Sequence, residues 1–209
     1  MKSIALAQNL LAKLCHDLAG NLTALNGGAE FLEDSNQDTQ RKARELIYLS
    51  VKQATSRLTF FRIAYGTQKH SGEANLKEVH DLSASLLADS KVSLDFHTHY
   101  FHQPEIFICS NTGKLILCMI YIAYGVLLYG GIVKVDIEKT SGGKRIVITA
   151  SGKKVKNDID RNSILCGEVE DVVLTPSNVH HYYTSLIIQE IGDKISINRQ
   201  EEEIQYIIE

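Results

Sequence analysis

The sequence predicts an α+β protein in which an N-terminal helical hairpin precedes an α/β sandwich. Apolar residues recur at spacings of three and four through residues 3–33 and again through 39–65, as expected of two long amphipathic helices. Beyond residue 73, helical patterns alternate with short segments of period two, which is typical of helices layered on a sheet. Residues 66–72 form a polar stretch bounded by glycines. We therefore predict two domains, residues 1–68 and 73–209, joined by a linker.

Each helix of the predicted hairpin carries one apolar stripe. Residues 34–38 supply turn and N-cap chemistry between the helices, so the two should lie antiparallel. A hairpin of this kind buries little surface alone, and pairing with a second copy into a four-helix bundle supplies the missing layer. We therefore expect a homodimer. The stripes are formed by Leu11, Leu14, Leu18, Leu22, Leu25, Ala29 and Leu32, and by Ala43, Leu46, Ile47, Ser50, Ala54, Leu58 and Phe61.

The remainder of the chain is predicted as helices packed on a largely antiparallel sheet. Helical spacing covers residues 74–88, and strands are expected at 91–97 and 106–109. An apolar helix at 111–129 ends at Gly130 and Gly131, which form a C-terminal stop signal. Period-two segments at 132–139 and 145–150 predict a β-hairpin. A short helix at 163–166, a helix at 177–191 with His180 and His181 on its surface, and strands at 195–198 and 204–208 complete the domain.

The overall composition argues against several classes of function. With 209 residues and 44% hydrophobic content, the chain can bury a substantial core. Its formal net charge of -3 gives no basic field that would favour nucleic acid. The sequence has neither an apolar run long enough to cross a bilayer nor the layout of a signal peptide, so we expect a cytoplasmic protein without a membrane partner. The four cysteines lack CxxC spacing and are interpreted as free thiols.

The strongest candidate for chemistry is His16, in the middle of the first predicted helix. On a helix it lies about 140–160° away from Leu11 and Leu18, which places its imidazole on the solvent face. The neighbours one turn away are mostly small, so another protein's concave active site can close over the imidazole. These neighbours are Ala12, Lys13, Ala19 and Gly20.

Two further features suit His16 to accept a phosphoryl group. Asp17 can hold one ring nitrogen and favour the nucleophilic tautomer, while Lys13 can offset phosphate charge. A glycine inside a helix costs about 1 kcal/mol relative to alanine, so Gly20 invites an explanation. An exposed His-Asp pair is more often only a solvated surface, and spacing alone favours that interpretation. The combination with a bundle-type helix, small neighbours, a second helix and a trailing α/β domain favours a phosphoacceptor.

Three stretches of the chain extend this interpretation to a family. Residues 11–18, 30–34 and 61–66 resemble the ChpT-type histidine phosphotransferases of alphaproteobacteria, and the Leu-Cys-His-Asp core at 14–17 is the most specific part. The resemblance implies a histidine-kinase-like architecture, with a dimerisation hairpin followed by a degenerate Bergerat-like ATPase domain. It implies that His16 is the phosphoacceptor and Asp17 its acidic neighbour. The implied partners are the receiver domains of a hybrid histidine kinase and of response regulators, with magnesium held by the receiver and no cofactor on this chain.

One departure from the family concerns residues 20 and 21. Gly20 and Asn21 stand where the family usually has Ser-Pro, so a helix kink and a hydroxyl are both missing. Asn21 is expected to contact a partner or phosphate or, more simply, to lie on the solvated polar face. We place it with Ala12, Lys13, Ala19 and Gly20 in the predicted partner-docking set.

Two alternative functions stay open from the sequence. A non-catalytic scaffold would bind a kinase or regulator without carrying phosphate. An ATP-dependent histidine kinase needs an Asn-bearing helix for magnesium and a glycine-rich turn for adenine, but residues 115–125 contain no Asn, Asp or Glu, and residues 151–154 lack the acidic residue. We therefore expect a phosphotransferase in the phosphorelay sense, not an ATP-dependent kinase, with no metal or nucleotide site on this chain.

Overall fold

The N-terminal hairpin consists of two long helices. The computed structural model describes residues 2–66, 75–97, 109–140 and 143–209. Helix α1 spans Lys2–Glu30 and continues into a 3₁₀ turn, Phe31–Glu33, after which α2 spans Gln37–Tyr65. The Asn36 side chain caps α2 by accepting hydrogen bonds from the backbone of Asp38 and Thr39. The predicted hairpin is therefore confirmed. The expected linker at 66–72 lies outside the described residues except for Gly66, and the domain boundary stays a prediction.

The two long helices approach closely where a small residue lies between them. Gly28 of α1 faces α2, so that a Cβ at this position would stand 2.8 Å from Cγ1 of Ile47. At its C-terminal end α2 enters the main hydrophobic core, where Phe60, Phe61 and Ala64 are buried. The hairpin is therefore attached to the rest of the protein by apolar packing.

A five-stranded sheet forms one layer of the second part of the chain. Its strands are β1 (Val92–Phe96), β2 (Gly131–Thr140), β3 (Gly143–Ser151), β4 (Ile195–Arg199) and β5 (Glu203–Ile208). Their spatial order is β1-β2-β3-β5-β4. Strands β1 and β2 are parallel, and the other neighbouring pairs are antiparallel. The predicted hairpin at 132–150 is confirmed, with Val133 opposite Ala150.

In the described part of the chain, four helices form the other layer: α3 (Leu76–Leu87), α4 (Ser110–Val126), α5 (Ile159–Leu165) and α6 (Val179–Ile191). Helix α4 packs against β2, β3, α3 and α6. Its central residues are consequently buried on nearly every side, including Leu115 and Ile120. In β2, Val133, Val135 and Ile137 are buried, whereas the two residues between them are only partly buried. This alternation confirms an α/β sandwich with one covered face.

Some predicted elements shift or cannot be compared. The short helix predicted at 163–166 begins earlier, at Ile159, because Asp158 caps it by accepting a hydrogen bond from the backbone of Arg161. The strand predicted at 106–109 lies outside the described residues except for Cys109. Within the part of the chain that the structure describes, no helix has both the length and the apolar character needed to cross a membrane.

Candidate functional site

His16 lies in the middle of α1 with its imidazole in solvent. Its side chain is 84% exposed. Ala12, Ala19 and Gly20 are exposed around it, and a Cβ added at Gly20 would meet nothing within 4 Å. The accessible face expected around His16 is therefore present, with little side-chain bulk to obstruct a partner.

Asp17, by contrast, points inward and is surrounded by donors. Its side chain is only 10% exposed. The Lys13 ammonium donates to both carboxylate oxygens, at 2.6 Å to Oδ1 and 2.5 Å to Oδ2. The Tyr121 hydroxyl of α4 donates to Oδ2 at 2.5 Å. Asp17 thus joins the hairpin to the α/β sandwich through a polar contact that is almost fully buried.

The donors around Asp17 keep it ionised. Burial alone raises the pKa of the Asp17 carboxyl, but hydrogen bonds from Lys13 and Tyr121, the Lys13 charge and the contact with His16 together lower it below the ordinary value. Burial and the nearby Asp17 charge raise the pKa of the Tyr121 hydroxyl, so that it stays a donor. The Lys13 ammonium also donates a hydrogen bond to the Tyr121 hydroxyl, with Nζ 3.0 Å from the hydroxyl oxygen.

The ionised carboxylate fixes which ring nitrogen of His16 carries the proton. Oδ1 of Asp17 lies 3.2 Å from Nδ1 of His16. Because an ionised carboxylate can only accept hydrogen bonds, this contact places the proton on Nδ1. Nε2 then carries the lone pair at the exposed end of the ring, where it can attack an electrophile. The contact between Asp17 and Nδ1 is compatible with the role that the sequence predicts for Asp17.

Other contacts hold the hairpin against the α/β sandwich near this site. The Tyr65 hydroxyl lies 2.7 Å from Nδ1 of His180, while Nε2 of His180 donates to the backbone oxygen of Cys118 at 3.0 Å. The Tyr183 hydroxyl donates to the backbone oxygen of Ala64 at 2.8 Å. Burial, more than any other effect, lowers the pKa of His180 to about 4, so its imidazole is neutral and acts structurally.

Three sequence-based assignments need correction or refinement. Asn21 does not face a partner: it is 7% exposed and its amide donates to Oε1 of Gln53 at 2.8 Å, because the hairpin turns it toward α2. The surface assignment is wrong for His180, which is buried, and His181 is partly buried beside it. Lys13 is directed at Asp17 and Tyr121 rather than at the space in front of His16.

Comparison with known proteins gives the molecule its family. A family model described as the histidine phosphotransferase C-terminal domain matches residues 76–203. The chain belongs to the histidine phosphotransferase family. The protein phosphotransferase ChpT of Brucella abortus (strain 2308) is 29% identical over 218 residues, which cover 100% of this chain and 97% of that relative. These findings confirm the resemblance seen in the sequence.

Solved structures agree with membership of the histidine phosphotransferase family. A 1.7 Angstrom structure of a bacterial phosphotransferase matches with a TM-score of 0.83 and 26% identity, covering 100% of this chain and 98% of that one. The catalytic domain of histidine kinase ThkA matches 66% of this chain and 93% of its own, with a TM-score of 0.50 and 15% identity. That second likeness shows the fold alone. The family model begins at residue 76, so the role of His16 depends on the geometry described above.

Tyr121 is a residue of the candidate site that the sequence did not predict. Its partner Asp17 is 104 positions away along the chain, so no local spacing connects the two. The available signal was compositional: Tyr121 and Tyr124 carry the only side-chain hydroxyls in the apolar segment 115–125. A hydroxyl on a buried helix needs a hydrogen-bond partner, which marks Tyr121 as a contact point.

Proposed function

We propose that this chain relays phosphoryl groups between the receiver domain of a hybrid histidine kinase and that of a response regulator, with His16 as the phosphoacceptor. The observation that supports this most strongly is the combination of an exposed imidazole with a fixed Nδ1 contact to Asp17 at 3.2 Å. Membership of the histidine phosphotransferase family supports the same reaction.

The proposed transfer needs few groups from this chain. The Nε2 lone pair of His16 attacks the phosphorus of an aspartyl phosphate, an N–P bond forms, and the P–O bond to the aspartate breaks to release a carboxylate. The proton on Nδ1 stays in place, and Asp17 stabilises the positive charge on the phosphorylated ring. Onward transfer to a second aspartate is the reverse of this step. In this proposal the magnesium ion is held by the receiver domain.

The surface around His16 fits the approach of a receiver domain. Ala12, Ala19 and Gly20 are exposed and offer no bulky side chain. We place the docking centre on these three residues and His16, without Asn21. In this proposal the chain accelerates transfer mainly by positioning His16 next to the aspartyl phosphate of the receiver, rather than by supplying further catalytic groups.

We also place the active form in the cytoplasm as a homodimer. The hairpin carries large apolar side chains in solvent, including Leu11 and Leu22 on α1 and Val51 and Leu58 on α2. Leu11 and Leu22 are eleven residues apart and therefore share a face of α1. If two copies of the hairpin pair into a four-helix bundle, the exposed apolar face of each hairpin is buried against the other copy.

The experiment that tests the function uses receiver domains loaded with acetyl phosphate labelled with ³²P. Wild-type chain should acquire label that is labile in acid and stable in base, as expected of phosphohistidine, and His16→Ala should acquire none. The matched control is His80→Ala, because His80 also precedes an aspartate on a helix and contacts it at 2.9 Å. Label that persists in His16→Ala, or a wild-type chain that binds receivers without acquiring label, contradicts the proposal.

A further inference from the structure

We infer that Tyr121 is a positioning residue for phosphoryl transfer, acting from α4 through Asp17 on the imidazole of His16. This inference rests on the proposed function of His16. The hydroxyl of Tyr121 donates to Oδ2 of Asp17 at 2.5 Å, while Oδ1 of the same carboxylate contacts Nδ1 of His16 at 3.2 Å. One carboxylate therefore connects the reactive ring to the α/β sandwich.

The orientation of the Asp17 carboxylate depends on donors at both oxygens. The two oxygens of an ionised carboxylate are chemically equivalent, so what must be fixed is the direction of the carboxylate plane, and Lys13, which contacts both oxygens, does not fix it alone. Tyr121 contacts only Oδ2, leaving Oδ1 turned toward the imidazole. A rotation of the carboxylate would break the Tyr121 bond together with the Nδ1 contact. The tyrosine hydroxyl thus selects the arrangement that keeps the proton on Nδ1.

Tyr121 is itself held firmly enough to define that orientation. Its ring lies 5.3 Å from the ring of Phe60 and 5.8 Å from that of Phe61, centre to centre. The ring of His180 stands nearly perpendicular to it at 4.8 Å. These neighbours belong to α2 and α6, and the backbone of Tyr121 belongs to the buried helix α4. The hydroxyl is therefore fixed by packing, as a positioning group needs to be.

A second occurrence of the same local pattern shows what Tyr121 adds. On α3, Lys77, His80 and Asp81 have the spacing of Lys13, His16 and Asp17, and the corresponding contacts are 2.5 Å and 2.9 Å. Yet the Asp81 side chain is 52% exposed, against 10% for Asp17. A lysine one turn earlier thus creates the ion pair in both places. Of these two carboxylates, and among the residues that the structure describes, Asp17 alone accepts a hydrogen bond from a tyrosine of another element.

During the proposed transfer, the proton on Nδ1 of His16 stays on that nitrogen. When Nε2 attacks phosphorus, the ring becomes cationic with hydrogen on Nδ1, and the oriented carboxylate stabilises this charge. In the reverse direction the same carboxylate is already in place as the N–P bond breaks. Without the Tyr121 hydroxyl, the carboxylate can turn away and the ring can adopt the Nε2–H tautomer, which has no lone pair at the exposed nitrogen.

The test removes the Tyr121 hydroxyl and keeps its ring, using Tyr121→Phe in the full chain. The matched control is Tyr183→Phe, which also removes one tyrosine hydroxyl bond between the hairpin and the sandwich, here to the backbone of Ala64. Two quantities are measured: the rate of label transfer from a receiver loaded with acetyl phosphate, and the tautomer of His16 from the ¹⁵N shifts of its ring nitrogens. His80 serves as an internal reference in the same spectrum.

We expect Tyr121→Phe to slow transfer about tenfold, a factor that corresponds to about 1.36 kcal/mol of transition-state stabilisation. The Nδ1–H population of His16 should fall in this variant, whereas Tyr183→Phe should change neither quantity. Equal slowing in both variants would indicate a merely structural role and overturn the inference. The inference would also be overturned if Tyr121→Phe had the wild-type transfer rate and the wild-type Nδ1–H population. Wild-type His16 found mainly as the Nε2–H tautomer overturns it without any variant. A wild-type chain that accepts no phosphate overturns the proposed function instead.

Discussion

Gly20→Ala is expected to stabilise this protein while making it a poorer partner for a receiver domain. Gly20 lies inside α1, one turn from His16, and a Cβ at this position would meet nothing within 4 Å. Alanine therefore gains its full helix propensity, about 1 kcal/mol over glycine, with no steric penalty. For a chain of this size, that gain corresponds to a rise in Tm of about 2–4 °C.

The matched control lies on the same helix. Gly28→Ala has the same gain in propensity, but its Cβ would stand 2.8 Å from Cγ1 of Ile47 and 3.3 Å from the backbone oxygen of Ala43. Overpacking of this kind costs about 1–3 kcal/mol, so the net effect is a loss of about 0–2 kcal/mol. The two substitutions should therefore differ by about 1–3 kcal/mol in unfolding free energy, measured by thermal or denaturant unfolding at one protein concentration.

The functional part of the prediction concerns docking. No contact among the described residues requires a glycine at position 20, so we predict that the missing side chain eases the approach of a partner. The concentration of phosphorylated receiver at half-maximal transfer should rise in Gly20→Ala, with the maximal rate unchanged, because a methyl group obstructs association and leaves His16 intact. A fall in Tm for Gly20→Ala, or transfer kinetics identical to wild type, would refute this reasoning.

Two further predictions follow from buried and exposed side chains. The free energy of unfolding should fall as pH is lowered from 7 toward 4, because burial lowers the folded-state pKa of His180 to about 4, and an unfolded chain that titrates near 6.5 binds the proton first. At about 1.36 kcal/mol per pKa unit the loss approaches about 3 kcal/mol, and denaturant unfolding of His180→Gln should show a flatter pH profile; an unchanged slope would contradict this role. Leu22→Glu should convert the proposed dimer to a monomer by light scattering, since Leu22 is large, apolar and exposed; a wild-type monomer would exclude the dimer.

The periodic features of this chain were predictable because local spacing determines them. The two long helices and the alternation in β2 appear in the structure near their predicted positions, whereas α4 ends at Val126, three residues before the predicted end at 129. The exposure of His16 followed from the same geometry, as its angular distance from Leu11 and Leu18 is a property of one helix.

The features that sequence reasoning missed depend on contacts between distant segments. The sequence places Asn21 in the docking set or on the solvated polar face, yet it is buried and its amide donates a hydrogen bond to Gln53 of α2. The sequence places His180 on the surface of its helix, although Tyr65 and the Cys118 backbone contact both of its ring nitrogens. In each case a polar group is buried because its hydrogen-bond partner lies on another element. The spacing of residues within one element cannot predict that partner.

The packing of Phe60 and Phe61 has an evolutionary consequence. Both residues belong to α2, the helix that follows the helix of His16, yet they are buried in the core shared with α4 and the sheet. A substitution deep in the sandwich therefore alters the support beneath Tyr121 and, through it, the surroundings of His16. Core positions far from the imidazole of His16 are therefore linked to it by packing and by one hydrogen bond. The hairpin and the sandwich should for this reason be inherited together, and a chain cut after residue 66 would leave two phenylalanines without their core.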